Sequence, residues 1–379
     1  MPDALSYLLI KRRNRMNLSI PRTMKALVLT GPGQFEIQEV PVPSPGPFEV
    51  LCRVWAVAIC GTDPEVIKGG FPGYWPPSYP FIPGHEWAGE VVSLGENSEH
   101  FFKVGDRVAG EAWKGCGHCP NCVAGHYNMC LNYGRLETGI RHYGFQFRGA
   151  YAQYNIYSVK SVHKMKDNVS CREGSLVDTA GVGMHGMELT GITPGGTVVV
   201  IGPGPIGILA MRTARLLGSA RVLVVGRPPR LEAAGGLGAD ALINIQKEDP
   251  VEAVRAATGR AGVDEVFECS GSEGTLNQAI RMVREGGRIG LLGVPTDKVM
   301  EMIPFKYVCR NEVAIFGSKA NPNVSDRVLS LIASGQLVVK DLITHVFPLA
   351  EFGKALDTFV NRRDGAMKVV IEPNGPEKQ

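Results

Sequence analysis

Four cysteines crowd into one short stretch, Cys116, Cys119, Cys122 and Cys130, in the spacing C-x2-C-x2-C-x7-C. Four thiolates at these intervals can wrap one ion tetrahedrally, and closed all-cysteine coordination with no open position is the mark of a structural zinc site. An iron–sulfur cluster uses the same ligands, and spacing alone does not separate the two. Nothing else in the chain points to electron transfer, so zinc is the expectation. Two further fragments put metal-type ligands at turns, Cys60-Gly61-Thr62-Asp63 and Gly84-His85-Glu86. Taken singly, a cysteine is a small buried hydrophobe and a histidine a satisfied polar group, so only the combination points to metal chemistry.

A second kind of chemistry is written at Gly202-Pro203-Gly204-Pro205-Ile206-Gly207, a G-x-G-x-x-G directly after the apolar run Thr197-Val-Val-Val-Ile201. The first glycine permits a tight turn, the second lets backbone approach a pyrophosphate, and the third lets the following helix pack on the strand. The helix N-terminus offers free N–H groups and partial positive charge to the phosphates. About twenty residues on, an NAD site carries an acid against the ribose 2′-hydroxyl. This chain instead reads Gly226-Arg227-Pro228-Pro229-Arg230. With no carboxylate to repel a 2′-phosphate and two guanidiniums to grip it, NADP is expected over NAD.

The elements that must hold these groups follow from texture. Residues 25–30, 35–40, 49–58, 89–94 and 106–109 read as short strands between turn signals, with a Pro/Gly loop at 41–47, which suggests a β-barrel-like unit. Near 195 the pattern changes to alternating strand and helix. Strands are expected at 197–201, 221–225, 241–245, 264–268, 288–292 and 313–316, with helices at 205–217, 230–237, 251–258 and 275–284. Regular alternation supplies the crossovers that parallel strands need, so a doubly wound sheet is the economical fold. Helices at 325–334 and 349–361 and a strand at 367–371 close the chain, returning to the β unit.

With 379 residues, a domain size of ~150 residues gives two to three domains. Forty basic against 37 acidic side chains leave a net charge of +3, which gives no basic footprint for nucleic acid. No apolar stretch is long enough to span a membrane. Nine cysteines, clustered and odd in number, argue for a reducing compartment, and the cytoplasm is expected. Residues 1–23 read as a loosely attached extension, or as a segment preceding a true start at Met16 or Met24. Its apolar run at 7–10 comes before Lys11, Arg12, Arg13 and Arg15, the reverse of a secretory leader.

Taken together, Cys60-Gly-Thr-Asp, Gly84-His-Glu-x-x-Gly89, Val104-Gly-Asp-Arg-Val108, the cysteine lobe and the glycine turn resemble the zinc-containing medium-chain alcohol dehydrogenase family over residues 24–373. That family includes polyol, threonine and secondary-alcohol dehydrogenases. The resemblance implies an α/β plus β architecture: a GroES-like β-barrel catalytic domain (24–185, with a structural zinc lobe at 113–133), an inserted Rossmann domain (186–320) and a C-terminal segment (321–379) returning to the first. It implies a catalytic zinc held by Cys60 and His85, with Glu86 ligating or just behind, and Asp178 as the remaining ligand. It also implies that Thr62 takes the substrate's hydroxyl proton. Glu65 stands where the family often has a histidine relay, which puts the pH profile in question. By the same resemblance Ser270 and Gly271 lie near the adenosine, and Leu292 and Val294 near the nicotinamide. Two zincs per subunit, NADP, a small alcohol or ketone substrate and a homodimer or homotetramer complete the expectation. The leading reaction is oxidation of a secondary hydroxyl in a polyol, sugar or related alcohol. A threonine-type amino-alcohol dehydrogenase and a non-catalytic, zinc-stabilised NADP-binding protein are the alternatives.

Overall fold

A computed structural model of the chain describes residues 20–295 and 299–377. Most of the 1–23 extension, and with it the reading of that segment, lies outside the described residues. Among the described residues seventeen strands form: β1 (Thr23–Gly31), β2 (Gln34–Pro41), β3 (Glu49–Ala58), β4 (Glu86–Leu94), β5 (Arg107–Gly110), β6 (Trp113–Lys114), β7 (Arg141–His142), β8 (Tyr154–Ser158), β9 (Val162–Lys164), β10 (Thr197–Ile201), β11 (Arg221–Gly226), β12 (Ala241–Asn244), β13 (Val263–Glu268), β14 (Val283–Leu291), β15 (Ala314–Gly317), β16 (Ile343–Pro348) and β17 (Lys368–Glu372).

Strands β10–β15 make a six-stranded sheet in the order β12-β11-β10-β13-β14-β15, every pair parallel. Val198, Val199 and Val200 are fully buried, as a central strand covered on both faces requires. The order reverses between β10 and β13, so a crevice opens at their carboxyl ends, where this class of sheet binds ligands. Strand β14 starts earlier than the expected 288–292, because Gly286 and Gly287 interrupt the apolar pattern without breaking the strand.

A second sheet runs β16-β17-β3-β4-β5-β9, with β8 paired to β3. Here the chain's last strands join its early ones: β17 lies antiparallel to β3 through Val370↔Ala58 and Ile371↔Val57. The β1–β2 hairpin docks on this unit through Leu27 N–H to the Tyr151 carbonyl (2.8 Å) and Leu29 N–H to that of Phe81 (2.7 Å). The helix Val177–Thr190 carries the chain from one sheet to the other. No helix among the described residues is long and apolar enough to cross a membrane.

Candidate active site and metal centres

Strand pairing brings the first set of ligands together. Ala58, at the end of β3, is opposite Glu86, at the start of β4. The turn after β3 therefore presents Cys60 beside His85 and Glu86, and one donor atom from each lies within 4.8 Å of the others. Asp63 shapes that turn. Its Oδ2 accepts the Cys60 N–H (2.8 Å) and the Tyr151 hydroxyl (2.7 Å), and its Oδ1 is 3.6 Å from His85 Nδ1. Burial opposes protonation of His85, but negative charge at Cys60 and Asp63 outweighs it and draws the ring towards its charged form. A divalent cation held by Cys60, His85 and Glu86 would meet the same negative charge that otherwise draws a proton to the ring.

Glu86 is fixed from both sides: Oε1 accepts the Thr179 hydroxyl (2.8 Å) and Oε2 pairs with the Lys368 ammonium, which also donates to the Ile59 carbonyl (3.3 Å). Asp178 is buried in the first turn of the helix Val177–Thr190, where its Oδ2 accepts the Ala112 N–H at 3.3 Å. Burial pushes this carboxyl up to about 6; His85 pulls it down, while the charges of Glu86 and Glu111 add to the rise. The cluster of three does not include it, so Asp178 stands beside the group rather than within it. Thr62 Oγ1 is buried with no partner. Glu65 is on the exposed side of the helix Asp63–Lys68, 3.5 Å from Lys68, and is not brought to the cluster.

The cysteine lobe is compact. Sγ atoms of Cys116 and Cys122 are 3.8 Å apart, those of Cys119 and Cys130 4.0 Å, and all four lie within 4.8 Å. A tetrahedron with bonds of about 2.3 Å has edges of about 3.8 Å, so this spacing suits a single ion and is too tight for a cubic cluster. Burial pushes the Cys116 thiol up, but N–H groups of His118 and Cys119 and the Asn132 amide overcome this and bring it down to about 5. Burial of Cys122 beside the other three sulfurs drives it to about 12.

A cavity of about 560 Å³ joins the first cluster to the crevice of the parallel sheet. Cys60 and Glu86 line one end, Gly202, Gly204, Pro205, Ile206 and Ser270 the middle, and Gly226, Arg227 and Arg230 the far end. Gly202 has φ 97°, and a Cβ on Gly207 would lie 2.0 Å from the Gly202 carbonyl oxygen, so both positions demand glycine. Gly204 is extended and would meet only Arg230 Nη1, at 3.7 Å, which leaves its backbone open to a ligand. Glu268 organises the next strand end by accepting the N–H groups of Ser270 (2.9 Å) and Gly271 (3.1 Å). Leu292 is buried against Gly186 as a packing residue, whereas Val294 is 81% exposed.

Residues 46–167 match the alcohol dehydrogenase GroES-like domain, and residues 205–334 match the zinc-binding dehydrogenase domain. Sorbitol dehydrogenase of Bacillus subtilis is 34% identical over 361 residues, covering 95% of this chain and 100% of that protein. The chain belongs to the zinc-type medium-chain alcohol dehydrogenase family. Human sorbitol dehydrogenase is 33% identical to this dehydrogenase, with 92% and 95% of the two chains covered. A putative zinc-binding dehydrogenase of Sinorhizobium meliloti bound to NADP superimposes with a TM-score of 0.85 at 31% identity, covering 93% of this chain and all of that one. An Escherichia coli alcohol dehydrogenase complexed with NADH gives a TM-score of 0.83 at 27% identity, with the same two coverages.

Several residues of this dehydrogenase's site carry no sequence motif. Lys368 and Thr179 reach Glu86 only through the fold, and Asp63 acts through the shape of its turn. Residues 72–80 and 133–147 build an aromatic wall beside His85: Phe145 is 4.6 Å from its ring, His142 stacks on Phe145 and Trp75 packs tilted against it. Tyr133 ties the wall together, its hydroxyl 2.7 Å from both Trp75 Nε1 and His142 Nδ1. Arg141 lies over the Phe147 ring and donates to the Leu136 and Ile140 carbonyls.

Proposed function

We propose that this dehydrogenase interconverts a secondary hydroxyl and a ketone in a polyol, sugar or related small alcohol, with NADP preferred over NAD. Its catalytic zinc is held by Cys60 and His85, with Asp178 and Glu86 as the carboxylates on its flank, and a second zinc is held by the cysteine lobe. The observation that carries the reading is that the Cys60, His85 and Glu86 donors and the glycine turn share one cavity. When bound, the ion supplies Lewis-acid polarisation of the substrate oxygen and the nicotinamide supplies the hydride acceptor.

The chain's own residues do the rest. Asp63 orients His85, as a carboxylate behind a metal-binding histidine does. Thr62, its hydroxyl buried without a partner, is available to accept a hydrogen bond from the substrate's hydroxyl and to relay that proton by releasing its own towards solvent. Lys368 and Thr179 hold Glu86 so that it cannot swing, and the aromatic wall excludes water from the reacting carbon. The same reading divides the chain at 24–185, 186–320 and 321–379; the helix Val177–Thr190 straddles the first boundary. It also takes β15, at the edge of the parallel sheet, as the surface for a homodimer or homotetramer. The reduced thiols both sites require suit the cytoplasm.

The test is nicotinamide reduction by zinc-replete protein over a panel of polyols, sugars, amino alcohols and simple secondary alcohols, with NADP and NAD in parallel. Turnover of polyols with NADP is expected, and Cys60→Ser is expected to remove it by at least a thousandfold. Turnover confined to amino alcohols would overturn the substrate class. Unchanged activity in Cys60→Ser would overturn the metal site.

A further inference from the structure

Three arginines converge on the far end of the cofactor cavity. Arg227 and Arg230 come from the parallel-sheet side, and Arg362 comes from the C-terminal segment, just after the helix Phe352–Val360. Several arginines elsewhere in the chain find carboxylates, as Arg212 meets Asp341, Arg288 meets Glu265 and Arg363 meets Asp357, while others, such as Arg141 and Arg255, donate to carbonyl oxygens. None of the three in the cavity has a carboxylate within ion-pair distance among the described residues, and Glu273, which shares the lining, pairs with none of them.

Arg230 donates through Nη2 to the Ala366 carbonyl (3.1 Å), but its Nε is buried and unpartnered. Burial, and then the charge of Arg362, weaken its hold on its proton. Guanidiniums crowded together without a counterion are costly, and an anion entering between them relieves that cost. The pyrophosphate already has its own receptor in the glycine turn and the N-terminus of the twelve-residue helix Pro205–Leu216. The surplus positive charge therefore calls for a further dianion at the ribose end of the cleft.

We propose that Arg362 is the third arm of a clamp on the cofactor's 2′-phosphate, reaching across the cleft to Arg227 and Arg230. The inference rests on the NADP reading above and adds to it a specificity residue supplied by the opposite side of the cleft. Binding of the extra phosphate then ties the C-terminal segment to the parallel-sheet unit, which NAD has no group to do.

The experiment is calorimetric titration of the zinc-replete protein with NADP, NAD and 2′,5′-ADP, for the wild type, Arg362→Met and Arg362→Lys. Arg362→Met is expected to weaken NADP and 2′,5′-ADP at least tenfold, with Arg362→Lys recovering part of the loss. NAD affinity should stay within twofold, which also reports that the variant is folded. Equal weakening of NADP and NAD would assign Arg362 to the pyrophosphate and overturn the proposal, as would no change in either. A wild type that binds NADP no more tightly than NAD would overturn the NADP reading itself. A wild type that prefers NADP, with unchanged binding in Arg362→Met, would overturn Arg362 alone.

Discussion

The ion pair between Lys368 and Glu86 has side chains only 3% and 2% exposed, and its carboxylate belongs to the cluster formed with Cys60 and His85. Two buried charges persist only if each satisfies the other, so removing one leaves the second stranded at a cost of about 3–5 kcal/mol. Lys368→Met is expected to lower the unfolding free energy by that order and to weaken zinc retention, because the freed Glu86 no longer holds its place. Adding Glu86→Gln should recover part of the stability but not the activity; denaturant melts and metal analysis of the single and double variants would separate the two effects. If Lys368→Met melted like the wild type, the pair would be no part of the site's support. Cys60 and His85 were legible in the sequence because each sits in a short turn motif next to its neighbours in space. Lys368 was not, since its partner is 282 residues away and no local pattern marks a lysine that will be buried. Glu65 shows the converse: its place in a motif suggested a relay, yet helix geometry turns it towards Lys68 and solvent.

At the scale of elements, His163 on β9 joins the catalytic sheet to the helix Ser325–Ala333. Its Nδ1 is 2.9 Å from Asp326 and its Nε2 3.8 Å from Glu111. Burial lowers its affinity for a proton, but the two carboxylates more than reverse this and raise it to about 9. A histidine whose folded value lies above its unfolded one stabilises the fold fully below the unfolded value of about 6.5, and the contribution fades as pH rises through about 9. His163→Gln is therefore expected to cost about 1–3 kcal/mol at pH 6 and much less at pH 10. Chemical denaturation at the two pH values measures it, and an equal loss at both would count against the charged contact. The glycine turn and its flanking strand and helix were legible because three glycines with distinct steric duties leave a fixed spacing. Strands β6 and β7 were not, because two-residue strands carry no periodicity. They exist where Trp113 and His142 pair across the base of the cysteine lobe.

For the whole molecule, the cysteine lobe and the cofactor cavity are separate structures, so their metals should be separable too. On the two-zinc reading proposed above, Cys122→Ser is expected to leave one zinc per chain in place of two, and to lower the melting temperature by several degrees. The Cys60 site should keep its metal. Metal analysis alongside thermal melting checks this, and a variant still carrying both ions would show that the lobe does not depend on four thiolates. The broad plan, a β unit interrupted by a parallel sheet, was legible from the change in texture near residue 195. That β17 would lie against β3 was not, because pairing between distant segments is decided by the completed core rather than by either segment.

The discontinuous catalytic sheet also fixes a timetable. Glu86 leaves the ribosome 282 residues before Lys368, which at about 5–20 residues per second is roughly 14–56 s of synthesis. For that interval β3 lacks its β17 neighbour, and Glu86 lacks the cation that will hold it. The parallel sheet, whose strands lie wholly within that interval, can pack before the site that will use its cofactor is finished. Ribosome-stalled chains ending before residue 368 should therefore already expose a dinucleotide crevice while still lacking a settled metal pocket, so that metal capture marks the last stage of maturation rather than the first.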